Sequence, residues 1–317
     1  MMTAQTNKEW YRIKEKSAGK TRLILSWYLY KIFGKNALYT IAFFVSFFTF
    51  VFSGELRKYS KNNLRVIYDF SNKKTPKPDI LNSYKTVLNY ALSLADKAVI
   101  SSGNFKSKNL YFEDIKEKEK LLEDIKNKKG IFLICCHIGN IDVLRSFVTD
   151  PPEGFKSPFV NVFMSIEQCK IFNTFLDTIN KKADIKIFPV EETGIEDAIM
   201  IADKLENGEI AVIAGDRISG KNIKANIKTK LMNKEVKISS GAFRFAQMTS
   251  ASIYFVAPVK MKDGRYKIYL KKFIRLESLN KKEEVNFMID EYKKFFEKTA
   301  QIAPLQFYHF YDFFNLL

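Results

Sequence analysis

The spacing of hydrophobic residues changes part-way along the chain, and this change predicts two regions of different structure. Residues 37–54 form an uncharged apolar stretch. Residues 62–101 carry apolar side chains at helical spacing and are interrupted by Pro76 and Pro78, so they are expected to form two helices. The pattern predicts a helical region over residues 1–104.

Beyond this region, short apolar runs alternate with helical patterns. The runs predict strands at residues 131–136, 159–164, 185–188, 210–214 and 252–259. The other patterns predict helices at residues 113–127, 141–149, 167–180, 195–207 and 283–301. Turn residues predict hairpins at 223–238, around Met232 and Asn233, and at 253–272, around Asp263 and Gly264. This alternation is typical of an α/β domain, here over residues 105–317, with a largely parallel central sheet flanked by helices.

The apolar stretch at residues 37–54 is a candidate for contact with a membrane. As a helix it would be about 27 Å long, just short of a typical hydrocarbon core of roughly 30 Å. Basic residues flank it on both sides, with eight Lys and Arg against two acids in residues 1–36. We expect a helix that lies along or dips into the inner leaflet, or spans the bilayer. A buried core helix is the alternative.

Composition narrows the class of partner. The chain has 317 residues and a net charge of +17, which suits an anionic membrane surface, nucleic acid or an acidic protein. No zinc-ligand pair, helix-turn-helix or RNA-binding strand signature accompanies the charge, so nucleic acid is not an expected partner. The three cysteines have no metal-ligand spacing, and they indicate neither a disulfide framework nor a metal site.

The sequence HIGNID at residues 137–142 stands where the first buried strand is expected to end. One interpretation is structural: Asn140 caps a helix, Asp142 complements the helix dipole, and His137 is a loop residue. The other is catalytic, because an imidazole can take a proton from an attacking hydroxyl while a nearby carboxylate fixes its tautomer. No G-x-S-x-G motif is present, which favours direct attack by a substrate hydroxyl on an activated acyl group.

Five blocks of the chain together resemble a known family. HIGNID is similar to the H-x-x-x-x-D/E signature of the lysophospholipid acyltransferase superfamily, and more closely to the H-x-G-N-x-D/E motif of the bacterial lipid A biosynthesis (lauroyl/myristoyl) acyltransferases. The other blocks are GEIAVIAGDR at 208–217, ISSGAFRFA at 238–246, APVK at 257–260 and PLQFYHFYDFF at 304–314. Residues 10–65 also resemble the basic and then hydrophobic N terminus of one branch of that family. The resemblance covers nearly the whole chain.

The resemblance implies an enzyme that transfers a fatty acyl group from a carrier thioester to a hydroxyl of a lipid or glycolipid. It implies His137 as the general base and Asp142 as the carboxylate that orients its ring. The expected substrate-binding residues are Gly139, Asn140, Asp216, Arg217 and Lys221. Backbone N–H groups of the Gly139–Asn140 turn would suit the thioester oxyanion, with the Arg217 side chain as an alternative.

Further expectations concern partners and location. The donor would be acyl carrier protein or acyl-CoA, and no metal or organic cofactor is expected. The location would be the cytoplasmic face of a bacterial inner membrane, reached peripherally or through a single N-terminal helix. A run of lysines from Lys221 to Lys237 is expected to dock an acidic carrier protein or lipid headgroups, or to be an ordinary solvated hairpin. His309, in an aromatic tail, is expected to be a packing or interfacial residue.

Two other functions stay open from the sequence. One is a non-catalytic, basic, membrane-bound protein that binds anionic lipid or nucleic acid. The other is a hydrolase in which the same histidine activates water.

Overall fold

The computed structural model describes residues 20–151, 156–169, 185–218 and 223–314, and every structural statement below concerns these residues. Two sequence predictions fall on other parts of the chain. The predicted helix at 167–180 lies outside the described residues after position 169, and Lys221 lies outside them as well.

Three helices form the N-terminal part of the structure: α1 (Lys20–Phe52), α2 (Gly54–Phe70) and α3 (Ile80–Ser101). Ser53 and Asp79 cap α2 and α3 by accepting hydrogen bonds from backbone N–H groups of their first turns. A kink at Gly34, where φ is 76°, divides α1. The prediction of two helices on either side of Pro76 and Pro78 is confirmed.

Helix α1 exposes most of its apolar surface. Its segment Leu25–Phe52 is long and apolar enough to span a membrane or to anchor in one, and only 22% of its most apolar window is buried. Phe44, Phe48 and Phe52 are among its exposed side chains. A buried core helix would hide these rings, so the alternative of a core helix does not describe this segment.

A seven-stranded sheet forms the centre of the structure, with the strand order β1-β9-β8-β2-β5-β3-β4. Only β8 and β9 pair antiparallel within it. A separate antiparallel hairpin contains β6 and β7. The strands are β1 (Leu110–Phe112), β2 (Ile131–Cys135), β3 (Val160–Met164), β4 (Ile185–Pro189), β5 (Ile210–Ala214), β6 (Asn226–Leu231), β7 (Lys234–Ser239), β8 (Ser252–Lys260) and β9 (Tyr266–Lys272).

Helices cover both faces of the sheet. Those after α3 are α4 (Ile115–Lys126), α5 (Ser146–Thr149), α6 (Ile195–Glu206), α7 (Gly241–Gln247) and α8 (Lys281–Ile302). Short 3₁₀ helices occupy Ser107–Asn109, Ile141–Arg145, Ile223–Ala225 and Pro304–Gln306. The predicted α/β class, with a mostly parallel sheet flanked by helices, is confirmed, as are the two hairpins.

Alternate residues of the strands supply two separate cores. One face, which includes Phe132 and Phe255, packs against α6, α7, α8 and the β6–β7 hairpin. The other face, which includes Leu133, packs against α4 and the end of α3. Because Val99 and Ile100 of α3 belong to this second core, the predicted parts 1–104 and 105–317 pack together, and their separation into domains stays a prediction.

A buried carboxylate joins α1 to the sheet. Asp96 on α3 is fully buried and accepts hydrogen bonds from Tyr39 of α1, from Lys260 of β8 (2.6 Å to Nζ) and from Tyr266 of β9 (2.5 Å). Burial lowers the pKa of Lys260, although the charge of Asp96 opposes this shift. The buried Asp96 carboxylate and the Lys260 ammonium therefore each need the opposite charge of the other to stay ionised.

Replacing this carboxylate is expected to destabilise the protein strongly. The Asp96→Ala substitution leaves the Lys260 ammonium buried without its counter-charge, which should reduce the free energy of unfolding by about 3–5 kcal/mol. Denaturant unfolding in detergent measures the change. Asp290→Ala, which removes an exposed pair with Lys293, is the control and should cost less than about 1 kcal/mol. Equal effects of the two substitutions would contradict the role assigned to the cluster.

Candidate active site

The register of two neighbouring strands brings a histidine and an aspartate together. β2 and β5 are parallel, with Cys135 opposite Ala214. His137 and Asp216 each lie two residues beyond these paired positions. The His137 Nδ1 lies 2.8 Å from the Asp216 Oδ1, and the His137 backbone N–H donates to Oδ2 at 2.6 Å. Both residues thus stand at the carboxyl end of the sheet, where α/β proteins place their functional groups.

The turn after His137 requires glycine. Gly139 has a φ of +76°, and a Cβ atom at this position would lie 1.9 Å from the carbonyl oxygen of Pro258. Only a glycine allows β8 to approach the turn so closely. Asn140 then starts the 3₁₀ helix Ile141–Arg145, because its side chain accepts from the Asp142 N–H at 3.2 Å.

The structure corrects the predicted partner of His137. Asp142 points towards α3, where its Oδ2 lies 3.2 Å from the Lys97 Nζ, whereas Asp216 bonds the histidine ring. The tight 3₁₀ turn that begins at Asn140 carries Asp142 away from the ring. Asp216, predicted to bind substrate, has a fully buried side chain and takes the orienting role instead.

Both backbone N–H groups predicted as oxyanion donors already have partners in the structure. Gly139 N–H donates to the carbonyl oxygen of Gln306 at 3.0 Å, and Asn140 N–H donates to that of Pro258 at 2.8 Å. The Asn140 side-chain amide donates to the Ser93 carbonyl at 3.2 Å. These bonds hold the turn in place rather than offering donors to a ligand.

A second histidine lies beside the same carboxylate. His309 is fully buried, and its Nε2 lies 3.1 Å from the Asp216 Oδ2, a close polar contact that is not aligned as a hydrogen bond. Its Nδ1 lies 3.0 Å from the hydroxyl of Tyr311. From its place in an aromatic tail, His309 is predicted to be a packing or interfacial residue. The available signal was that this chain has only two histidines.

The surroundings keep Asp216 ionised and His309 neutral. Burial alone would raise the pKa of Asp216, but its contacts with His137, together with the contact from His309, hold it well below its usual range. Burial lowers the pKa of His309 to about 4, and the nearby His137 and Arg217 add to this, whereas Asp216 opposes it.

The tautomer of His137 follows from its partner. An ionised carboxylate only accepts hydrogen bonds, so Nδ1 must carry the proton and Nε2 of the neutral ring is left with a lone pair. The His137 side chain is 35% exposed, and no side chain in the described part of the chain bonds its Nε2. The ring can therefore act as a base towards a group that approaches from the adjoining cavity.

His137 lines a large and mostly apolar cavity of about 2480 Å³, bounded by the residues that the structure describes. One wall contains side chains of α1: Leu38, Ile41, Ala42, Val45, Ser46 and Thr49. Arg217 lies at the wall and places its guanidinium over the ring of Tyr311, 5.5 Å from the centroid. A fatty acyl chain suits such a lining.

The cysteines beside the site are poor nucleophiles. Cys135 and Cys136 are buried, and burial, with the charge of Asp216, raises the pKa of each thiol. Within the described ranges, no group of three His, Cys, Asp or Glu side chains is arranged to hold a metal ion. The expectation that no cofactor is needed stays a prediction.

The predicted basic docking surface can be located in part. Lys224, Lys228, Lys230 and Lys234 are exposed on or next to the β6–β7 hairpin, and Lys237 is half-buried. Lys221 cannot be placed, since it falls in the gap between residues 218 and 223. The hairpin thus presents positive charge to solvent.

Comparisons with known proteins add no assignment: the chain matches no protein-family model and no curated protein.

The pKa of His309 predicts a dependence of stability on pH. Its value is about 4 in the folded chain against 6.5 ordinarily, so between these pH values the unfolded chain binds more protons. Acidification from pH 6.5 should therefore reduce the free energy of unfolding, by about 1 kcal/mol per pH unit from this group. Unfolding measured at several pH values checks this.

The control is His309→Phe, which removes the titrating group and should give a shallower decline over the same pH range. In NMR spectra of the native chain, the His309 resonances should not shift between pH 8 and about pH 5. A His309 signal that titrates near pH 6.5 would contradict the prediction.

Proposed function

We propose that this chain is an acyltransferase that moves a fatty acyl group from a carrier thioester to a hydroxyl of a membrane lipid or glycolipid. The observation that carries the proposal is the His137 imidazole, which faces an apolar cavity and is held on its far nitrogen by the buried carboxylate of Asp216. The ordered motifs that resemble the lipid A acyltransferases support the same reaction.

The proposed reaction needs one base and no protein nucleophile. The His137 Nε2 takes the proton from the acceptor hydroxyl as its oxygen attacks the thioester carbonyl carbon. The negative charge of Asp216 stabilises the imidazolium that forms. The carbon–sulfur bond then breaks, an ester is left on the acceptor, and the imidazolium returns the proton to the departing thiolate. The neutral base is thus restored.

The oxyanion of the tetrahedral intermediate needs a donor. Since the turn N–H groups of Gly139 and Asn140 are bonded to carbonyl oxygens, the Arg217 guanidinium at the cavity wall is the better candidate. Its position over the Tyr311 ring limits the directions in which it can point.

The proposed location is the cytoplasmic face of a bacterial inner membrane, where carrier thioesters and lipid acceptors meet. The exposed apolar segment Leu25–Phe52 would enter the bilayer, and the same helix borders the cavity. The net charge of +17 favours an anionic lipid surface. The donor, acyl carrier protein or acyl-CoA, would approach from the water side.

Loss of the base should abolish acyl transfer. His137→Asn keeps an N–H group near the position of Nδ1 but has no group that can take the proton, so the rate should fall about 10²- to 10⁴-fold. The assay uses the full chain in lipid nanodiscs with acyl-carrier or acyl-CoA donors and bacterial lipid extract, and mass spectrometry detects the acylated product. Cys135→Ala, which removes a buried thiol at the cavity wall, should keep its activity.

Two outcomes would defeat the proposal. Full activity of His137→Asn would remove the histidine from the mechanism. Release of free fatty acid without any acylated lipid would identify a hydrolase.

A second candidate is a non-catalytic protein that binds anionic lipid, which the net charge and the exposed α1 favour. Such a protein would bind lipid vesicles equally well with His137 or with asparagine at this position, and neither form would produce acylated lipid.

Charges on the exposed face of α1 should release the protein from membranes. Phe44→Asp with Phe48→Asp places two carboxylates on that face, at about 2.5–3.5 kcal/mol each near the bilayer centre. Flotation with anionic vesicles measures the bound fraction, which should drop sharply. Ile274→Asp with Leu276→Asp, on exposed apolar residues after β9, is the control and should float like the unmodified chain. Unchanged flotation of the α1 variant would contradict membrane contact by this face.

A further inference from the structure

His309 stands in a position that packing alone does not explain. Its ring stacks on Phe313, with centroids 4.2 Å apart and planes inclined by 16°, and it also contacts Phe307 edge-on. A phenylalanine would fill such a site without burying polar nitrogens. Both nitrogens of His309 nevertheless face polar groups, Asp216 on one side and Tyr311 on the other.

The proton on the His309 ring belongs on Nε2. A bare Nε2 lone pair would face the ionised Asp216 at 3.1 Å and be repelled, whereas an N–H dipole in this place is attracted. The Tyr311 hydroxyl then donates to the unprotonated Nδ1 at 3.0 Å. The two contacts select the same tautomer.

We propose that His309 is a positioning residue: its neutral imidazole, held by Tyr311, presents an N–H to Asp216 and keeps that carboxylate ionised and aimed at His137. The carboxylate thereby has a polar partner on each oxygen, with His137 Nδ1 at Oδ1 and the His137 backbone N–H and His309 at Oδ2. The effect of His309 on catalysis rests on the proposed function, whereas its contacts with Asp216 and Tyr311 do not.

The effect on His137 has a definite sign. The N–H dipole of His309 beside Oδ2 draws negative charge away from the His137 side of the carboxylate. Without that dipole, Asp216 would stabilise the His137 imidazolium more strongly, and His137 would hold its proton to higher pH. The acid limb of the reaction, where His137 must be neutral, would shift in the same direction.

The other titratable groups near His137, His309 and Asp216 keep their protonation states when His309 is substituted. Among the described residues, the charged and titratable groups facing the two rings and Asp216 are Arg217 after β5, Cys135 at the end of β2, Cys136 directly after it, Tyr292 on α8 and Tyr311 in the C-terminal tail. Burial holds both thiols and the Tyr292 phenol in their neutral forms, because it raises the pKa of each. A change in the titration of His137 on substitution of His309 therefore reports on the Asp216 contact.

The experiment is an NMR titration of histidine in the full chain. In His309→Phe the aromatic packing is kept and His137 is the only histidine left, so its signals need no assignment. Its titration midpoint should rise by about half a unit or more relative to the unmodified chain. His309→Gln, whose amide can place an N–H near the Nε2 position, should stay within roughly 0.2 units.

An unchanged or lower midpoint in His309→Phe would overturn the proposal, as would an equal shift in His309→Gln. Tyr311→Phe removes only the hydroxyl that holds the His309 ring, so it should raise the His137 midpoint by less than His309→Phe does. If His309→Phe does not fold, the result for Tyr311→Phe decides the question. The titration needs no turnover. If the midpoint shifts as expected but no acyl transfer is detected, the positioning role of His309 stands and the proposed function fails. If acyl transfer is detected but the midpoint does not shift, the proposed function stands and the positioning role fails.

Discussion

The negative charge of Asp216, buried at the end of β5, is the constraint on which the rest of the site depends. An ionised carboxylate away from water costs several kcal/mol unless hydrogen bonds and opposite partial charges offset it. Here the backbone and ring of His137, together with His309, provide them. Three separate parts of the chain must therefore converge on one side chain: the end of β2, the end of β5 and the C-terminal tail.

The tail reaches this point by pairing with the turn that follows β2. Ile138 and Phe307 form an antiparallel bridge, with Tyr308 N–H bonded to the His137 carbonyl at 3.0 Å. The Asn63 side chain of α2 donates to the His309 carbonyl, so the N-terminal helices help to hold the tail. The same pairing that brings His309 to the carboxylate consumes the Gly139 N–H. The contact that holds the tail in place thus occupies the Gly139 N–H.

The sequence predicted the elements well where one local signal decides the structure. Apolar runs located five strands of the central sheet, and left-handed residues at Met232, Asn233 and Gly264 mark the turns of both hairpins. β1 was missed because three residues carry too little pattern, and its position depends on pairing with β9. The place of His137 at the end of a strand was also predictable, since it follows directly from the apolar run.

The partner of His137 was not predictable from local spacing. Asp142 is five residues away and Asp216 is 79 residues away, yet the order of strands in the sheet decides between them. β2 pairs with β5 although β3 and β4 come between them in the chain, and only this adjacency makes positions 137 and 216 neighbours. The contact of His309 with Asp216 was missed for the same reason, because the sequence of the aromatic tail does not indicate which of its residues will pack against the end of β5.

The link between the apolar helix and the site follows from a second buried carboxylate. Tyr39 of α1 and Lys260 of β8 both bond Asp96, and the backbone of Lys260 exchanges two hydrogen bonds with the Gln306 side chain, at 2.9 and 2.7 Å. The carbonyl of Gln306 then holds the Gly139 N–H. These contacts fix the turn after His137 relative to α1, and the cavity opens between them. If α1 lies in a bilayer, these contacts hold the His137 turn close to the membrane surface, because they tie that turn to α1.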